Sequence, residues 1–179
     1  MGADELSATL WRGRRQLDFL LFLLETQLLH LRAGHWHRLN FTASELEKVI
    51  ENLRFESLAR GVEATSLATE WQAPDRSTLP ALVEIAPEGI WAGLLDEHRR
   101  AMVLLVENID TAVAANISAL ETGPDKAGSD GDELELLAIQ ANIQRALTAV
   151  REASLPLLRE FLGISWRDVR EEPPKPSGT

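Results

Sequence analysis

Leucine spacing organises the first third of the chain. Leu10, Leu17, Leu24 and Leu31 recur every seven residues with Leu20, Leu21 and Leu28 beside them, which predicts one apolar stripe on a helix from Leu10 to about Arg32. Leu20 to Leu24 is almost continuously apolar, so this helix should be covered on more than one side. Gly34 breaks the pattern, and Arg32 falls in the last turn, where a cation suits the carbonyl end. Periodicity resumes in a new phase at Leu39, Leu46 and Leu53, joined by Val49 and Ile50. Thr42 and Glu45 have capping-box spacing, so the second helix can begin at Trp36 or at Ala43, and it runs to about Trp71.

Three prolines and a glycine in "QAPDRSTLPALVEIAPEGI" predict a connection with one short helical turn at Leu79 to Ile85. A third long helix follows from about Glu88 to Leu120. Trp91, His98, Leu105 and Ala112 keep its heptad, with Leu95, Met102 and Ile109 alongside. The segment "ETGPDKAGSDGDE" has the composition of a flexible acidic loop. Beyond it Asp132 and Glu135 can cap a fourth helix, whose stripe is Leu136, Ile139, Ile143, Leu147 and Val150. Pro156 lacks an amide proton and should kink or restart that helix. Phe161 and Gly163 close it, a short turn around Trp166 can follow, and "EEPPKPSGT" reads as a disordered tail.

No stretch alternates as a strand does, so the expected fold is all-α. Its antiparallel hairpin, Leu10 to Arg32 and Leu39 to Trp71, turns near Gly34, and the long helix from Trp91 to Leu120 packs along it. The expected organisation is a bundle over residues 1–121, the acidic loop over 122–133, an amphipathic helix over 134–163 and the tail over 164–179.

Composition narrows the function. Lys and Arg total 18 and Asp and Glu 28, a net charge of −10 that repels nucleic acid and anionic membranes. The chain has no cysteine, which removes disulfides, thiol catalysis and thiolate-bound zinc. Its first ten residues lack the order of a signal peptide. The leucine-rich run from Leu17 to Leu31, read as the most apolar stretch, is interrupted by Asp18 and Glu25 and too short to span a bilayer. A cytoplasmic protein without membrane insertion is the expectation.

Three of the four histidines, His30, His35 and His37, crowd around Trp36. On a helix His35 and His37 would point about 200° apart, and no Glu-x-x-His pair accompanies them, so the expectation is no metal and no cofactor. His35, Trp36 and Phe41 resemble a fragment of the Dps-like ferritins, but the second histidine of that pattern is absent, which leaves a divergent iron protein as the least favoured reading. His98, on an apolar stripe, reads as a hydrogen-bonded core histidine that fixes register, and Asn116 reads the same way. Ser7, Ser57, Ser66 and Ser118 all fall on helices away from any His–Asp arrangement, and there is no tyrosine, so no catalytic residue is expected.

The order of several fragments carries a family likeness. Leu10-Trp11-Arg12, Leu20-Leu21-Phe22-Leu23-Leu24-Glu25, Ala33-Gly34, "LEKVIENLR" from Leu46 to Arg54 and the later "LLDEHRRAMVLLVENID" together resemble the FlgN-like flagellar export chaperones, particularly their actinobacterial branch. The likeness covers about residues 5 to 118. It implies a cytoplasmic chaperone of type III export, monomeric or homodimeric, that binds the helical termini of hook-associated proteins and prevents their premature assembly. It also implies contact with the export gate. Some members make that contact through a tyrosine near the C-terminus; here it would pass to another aromatic, such as Trp166. A helix attached through a polar loop can exchange an internal partner for an external one. The client-binding residues are therefore expected on the fourth helix: Leu136, Ile139, Ile143, Leu147, Val150, Leu157 and Phe161. The alternative is a self-associating coiled-coil scaffold without a client.

Overall fold

The computed structural model describes residues 2–122 and 133–164. The predicted acidic loop, Asp132, Trp166 and the tail lie outside them, apart from residues at the segment edges. The described residues are all-α, with no strand among them.

Helix α1 spans Gly2–Ala33, α2 Leu39–Glu70, α3 Leu79–Ile85, α4 Trp91–Thr122 and α5 Glu133–Ala149. A wide π-helical turn, Val150–Ser154, leads into α6, Leu155–Leu162. The first helix begins eight residues earlier than the leucine heptad indicates, because Ala3 and Leu6 extend its buried stripe. Asp4 and Glu5 in its first turn also favour the amide end of a helix.

Gly34, at φ 70°, ends α1 in the left-handed conformation that glycine adopts without strain, and the His35 amide closes back onto the His30 carbonyl at 3.0 Å. One turn of 3-10 helix, Trp36–Arg38, precedes α2, so α2 starts between the two expected positions. The capping box is not formed. Thr42 lies within the helix, and its hydroxyl points to the Leu39 carbonyl (2.9 Å) and the Gln27 side chain (3.2 Å). At the other end of α2, Gln72 takes a positive φ of 61°, and Ala73 bonds back to the Ala68 carbonyl at 2.8 Å.

The predicted hairpin is present, and α4 packs on the other side of α1. Ser7 meets His98 and Gln27 meets Asn116, so α1 and α4 run parallel while α2 opposes both. The C-terminal segment, α5 through α6, docks on α2 and closes towards α4, diagonally across from α1. Short α3 crosses the end of the bundle on the way from α2 to α4 and buries Leu79 and Leu82.

Helix α4, rather than the leucine-rich α1, is the described helix long and apolar enough to cross a bilayer, at mean hydropathy 1.4 over its best window. In this fold it presents Leu95, Met102, Val106 and Ile109 to the core, together with the buried polar residues His98 and Asn116.

Candidate functional site

The fourth-helix stripe is turned into the bundle. Ile139, Ile143, Leu147, Val150 and Phe161 are buried, and Leu136 is half-buried. Leu157 departs from the stripe and is 58% exposed. The cause is the wide turn before Pro156. A π turn takes up one residue more than an α turn, so the inward position passes from Val150 to Leu155, then to Leu158 and Leu162. Pro156 marks the place in the sequence, but it does not say that the phase shifts instead of the helix bending.

Polar contacts staple this segment at its lower end. Arg159, nearly buried, forms an ion pair with Asp110 of α4. Arg99 Nε donates to the Leu162 carbonyl at 3.3 Å, satisfying a free acceptor at the helix end. Gly163, at φ 70°, lies so close to Pro80 of α3 that a Cβ there would come within 2.7 Å of the proline ring. Arg60 of α2 is buried with its guanidinium 4.8 Å from the Phe161 ring centre. Burial lowers its pKa to about 10, against the raising influence of Glu56, so it stays charged at neutral pH.

Higher up, α5 leans on α2 and leaves a groove against α4. There Asn142 reaches Asn40 at 3.4 Å and Arg145 lies 3.8 Å from Glu47, both across the α2 side. On the α4 side two adjoining cavities of about 640 and 280 Å³ share Ile117, Glu121, Thr148 and Arg151. Val113, Ile117, Leu147 and Leu155 supply the apolar floor, and Asp110, Glu121, Arg151 and Glu152 the charged margin. An apolar floor between two helices with a charged margin is chemistry for receiving a third amphipathic helix.

Two buried polar clusters lie elsewhere. Asn116 Nδ2 donates to the carbonyls of Leu24 (2.9 Å) and Ala112 (2.8 Å), and Gln27 Nε2 donates to Asn116 Oδ1 at 2.9 Å. With Thr42 beyond Gln27, this network ties α1, α2 and α4 together. Asn116 was legible as a seam residue; Gln27 and Thr42 were not, since nothing local distinguishes them from surface polar residues.

The second cluster gives Ser7 a histidine neighbour that its helical position does not announce: its Oγ lies 3.1 Å from Nε2 of the fully buried His98. A serine–histidine pair of this kind becomes nucleophilic when an acid orients the far ring nitrogen. Here the far nitrogen faces the Arg14 guanidinium at 3.3 Å, and Trp11 meets the ring edge-on at 5.1 Å. Burial first and Arg14 second lower the His98 pKa below its usual 6.5, with Glu97 opposing. The arrangement holds a neutral histidine as a packing element and leaves it a poor base.

The turn gathers its histidines more closely than their spacing implies. His30 and His35 approach at 3.4 Å between Nδ1 atoms, and the His35 and His37 ring centres are 6.3 Å apart. Among the described residues no group of three or more histidine, aspartate or glutamate side chains is arranged to hold a metal ion. No family model matches the chain, and no curated protein or solved structure matches it either.

Proposed function

We propose that the protein is a non-enzymatic, cytoplasmic chaperone of flagellar type III export that shields the terminal helices of hook-associated proteins before secretion. The observation that carries this reading is the groove between α4 and the C-terminal segment, with its apolar floor at Val113, Ile117 and Leu155. The likeness of residues 5 to 118 to the FlgN-like chaperones supports it from the sequence side.

In this reading the client helix lies along the α4-facing flank of α5, and the buried stripe of α5 holds the groove's second wall in place. Export requires that the client be released, which suits a wall whose ion pair to α4 lies at one end.

Titration calorimetry with peptides of the terminal helices of hook-associated proteins tests the proposal. Wild-type protein should bind one such peptide stoichiometrically. Ile117→Asp, which puts a carboxylate on the half-buried groove floor, should weaken binding at least about tenfold, or about 1.4 kcal/mol, and lower the melting temperature while circular dichroism still shows a folded helical bundle at the temperature of the titration. Failure of every such peptide to bind, together with recovery of only this chain from source-cell pull-downs, would remove the flagellar reading.

A further inference from the structure

The outward face of α2, away from the groove, carries an apolar feature with no partner in the fold. Phe55, Leu58 and Val62 stand at i, i+3 and i+7 on one stripe and are 65, 70 and 71% exposed. Gly61 lies among them in the middle of a long helix, where glycine costs backbone entropy. A Cβ added at Gly61 would meet nothing within 4 Å, so no neighbour in the fold requires the missing side chain. The hydroxyls of Thr65 and Thr69 donate to the carbonyls of Gly61 and Thr65, each at 2.9 Å, so neither donor needs a partner from outside.

Charge on this face is confined to its N-terminal end, where Glu51 and Arg54, exposed beside Phe55, pair with each other at 3.1 Å. Between Ser57 and Thr69 the exposed positions of α2 are Leu58, Gly61, Val62, Thr65, Ser66 and Thr69, all uncharged. In a chain of net charge −10, self-repulsion opposes association of two copies. An uncharged strip is where they can approach with the least opposition.

We propose that a second copy of this chain docks here, through an antiparallel α2–α2 pair with its two-fold axis at Leu58. Phe55 lies three residues before Leu58 and Gly61 three after it, so an antiparallel crossing brings Phe55 of one copy level with Gly61 of the other. Leu58, Gly61, Val62 and Thr65, at i, i+3, i+4 and i+7, form the four corners of a hole for an incoming knob. The absent side chain at Gly61 makes that hole large enough for a phenylalanine ring. The symmetry operation repeats the contact, and the two Leu58 side chains meet on the axis. A knob and a hole equidistant from one residue are what a self-complementary patch requires; a different partner would need no such match.

Sedimentation and light scattering on the full chain test this, with circular-dichroism melting as the control for folding. Wild type should be a dimer whose dissociation constant rises at least about tenfold in Phe55→Ala and in Gly61→Leu. Gly61→Leu is the sharper variant: it fills the hole yet improves helix propensity, so the melting temperature of the monomer should not fall. Because the chain has no cysteine, Leu58→Cys introduces a single thiol. It should cross-link into a disulfide dimer under mild oxidation, whereas Phe41→Cys, equally exposed near the start of α2, should not. A wild-type chain that stays monomeric at high micromolar concentration overturns the proposal. So does a dimer unaffected by Gly61→Leu, or one that Phe22→Cys on α1 cross-links in place of Leu58→Cys.

Discussion

Helix α1 and the C-terminal segment both face α2 and α4, yet they are held by different means. Buried amide and hydroxyl groups lock α1 on both sides: Gln27 reaches Asn116 on α4 and Thr42 on α2, while Ser7 reaches His98. The C-terminal segment presents an apolar stripe to the bundle, is stapled by Arg159 and Arg99 near one end, and borders a groove that runs from Arg159 along α5 to Gln140. Polar networks demand one geometry because a small shift leaves a buried group unpaired. An apolar stripe tolerates sliding and detachment. The same bundle therefore combines a half locked by buried polar networks with a half held mainly by apolar contact.

The largest expected effect comes from breaking the docked half alone. Replacing Ile143 and Leu147 together by Asp puts two carboxylates at buried positions, which docking cannot accommodate. Amides of α5 and α6 should then lose hydrogen-exchange protection while those of α1, α2 and α4 keep theirs. A single collapse of protection across every helix would show that the two halves are one cooperative unit.

Leu24→Ala attacks the locked half at a fully buried side chain and should cost about 2–5 kcal/mol in denaturant unfolding. Next in size is Asn116→Ala, at about 1–3 kcal/mol, since it strands the Gln27 amide and the Leu24 carbonyl. By contrast Arg159→Met, which keeps the packing stem, should cost less than Asn116→Ala, because the Asp110 carboxylate it leaves is 40% exposed and can be hydrated. Equal losses for these two would erase the distinction drawn between the halves.

Acidity gives a smaller test. The folded His98 titrates below 6.5, so between that value and its lower folded pKa the unfolded chain binds a proton that the folded chain does not. Stability should therefore fall as pH drops through this window, and the slope should lessen in His98→Gln. A slope unchanged by that substitution would place the acid sensitivity elsewhere. Smallest of all, His35→Gln with His37→Gln changes exposed side chains and should move stability by less than about 0.5 kcal/mol. A larger loss, or bound metal that disappears in the double variant, would give the turn a role that its geometry does not indicate.

The parts legible in the sequence are those set by local periodicity. Leucine heptads place α1 and α2, Gly34 places their turn, and residues 79 to 85 form a helix as the spacing predicts. Interior packing of the fourth-helix residues is readable as far as Val150 and again at Phe161, but not at Leu157. Past it the π turn changes which residues face inward, and that choice depends on how Leu155, Leu158 and Leu162 fit the bundle. Gln27, Thr42 and Ser7 were illegible for a related reason: a buried polar group is identified by its partner, and those partners lie on other helices. The groove was equally hidden, because it is the space left where α5 leans towards α2.

One consequence of the topology concerns the order in which the chain is made. Gln27 and Asn116 are 89 positions apart, so the first helix to leave the ribosome must wait for much of the chain before its network can close. Until then only the hairpin with α2 is available, and contacts so distant in sequence form late because loop closure precedes any reward. The segment that completes the groove is later still. A nascent chain in which α1, α2 and α4 have assembled would leave the surface awaiting α5 bare until that segment emerges. Any helix that reaches that surface first competes with the chain's own C-terminal segment, so the rate of synthesis can set which of them occupies it.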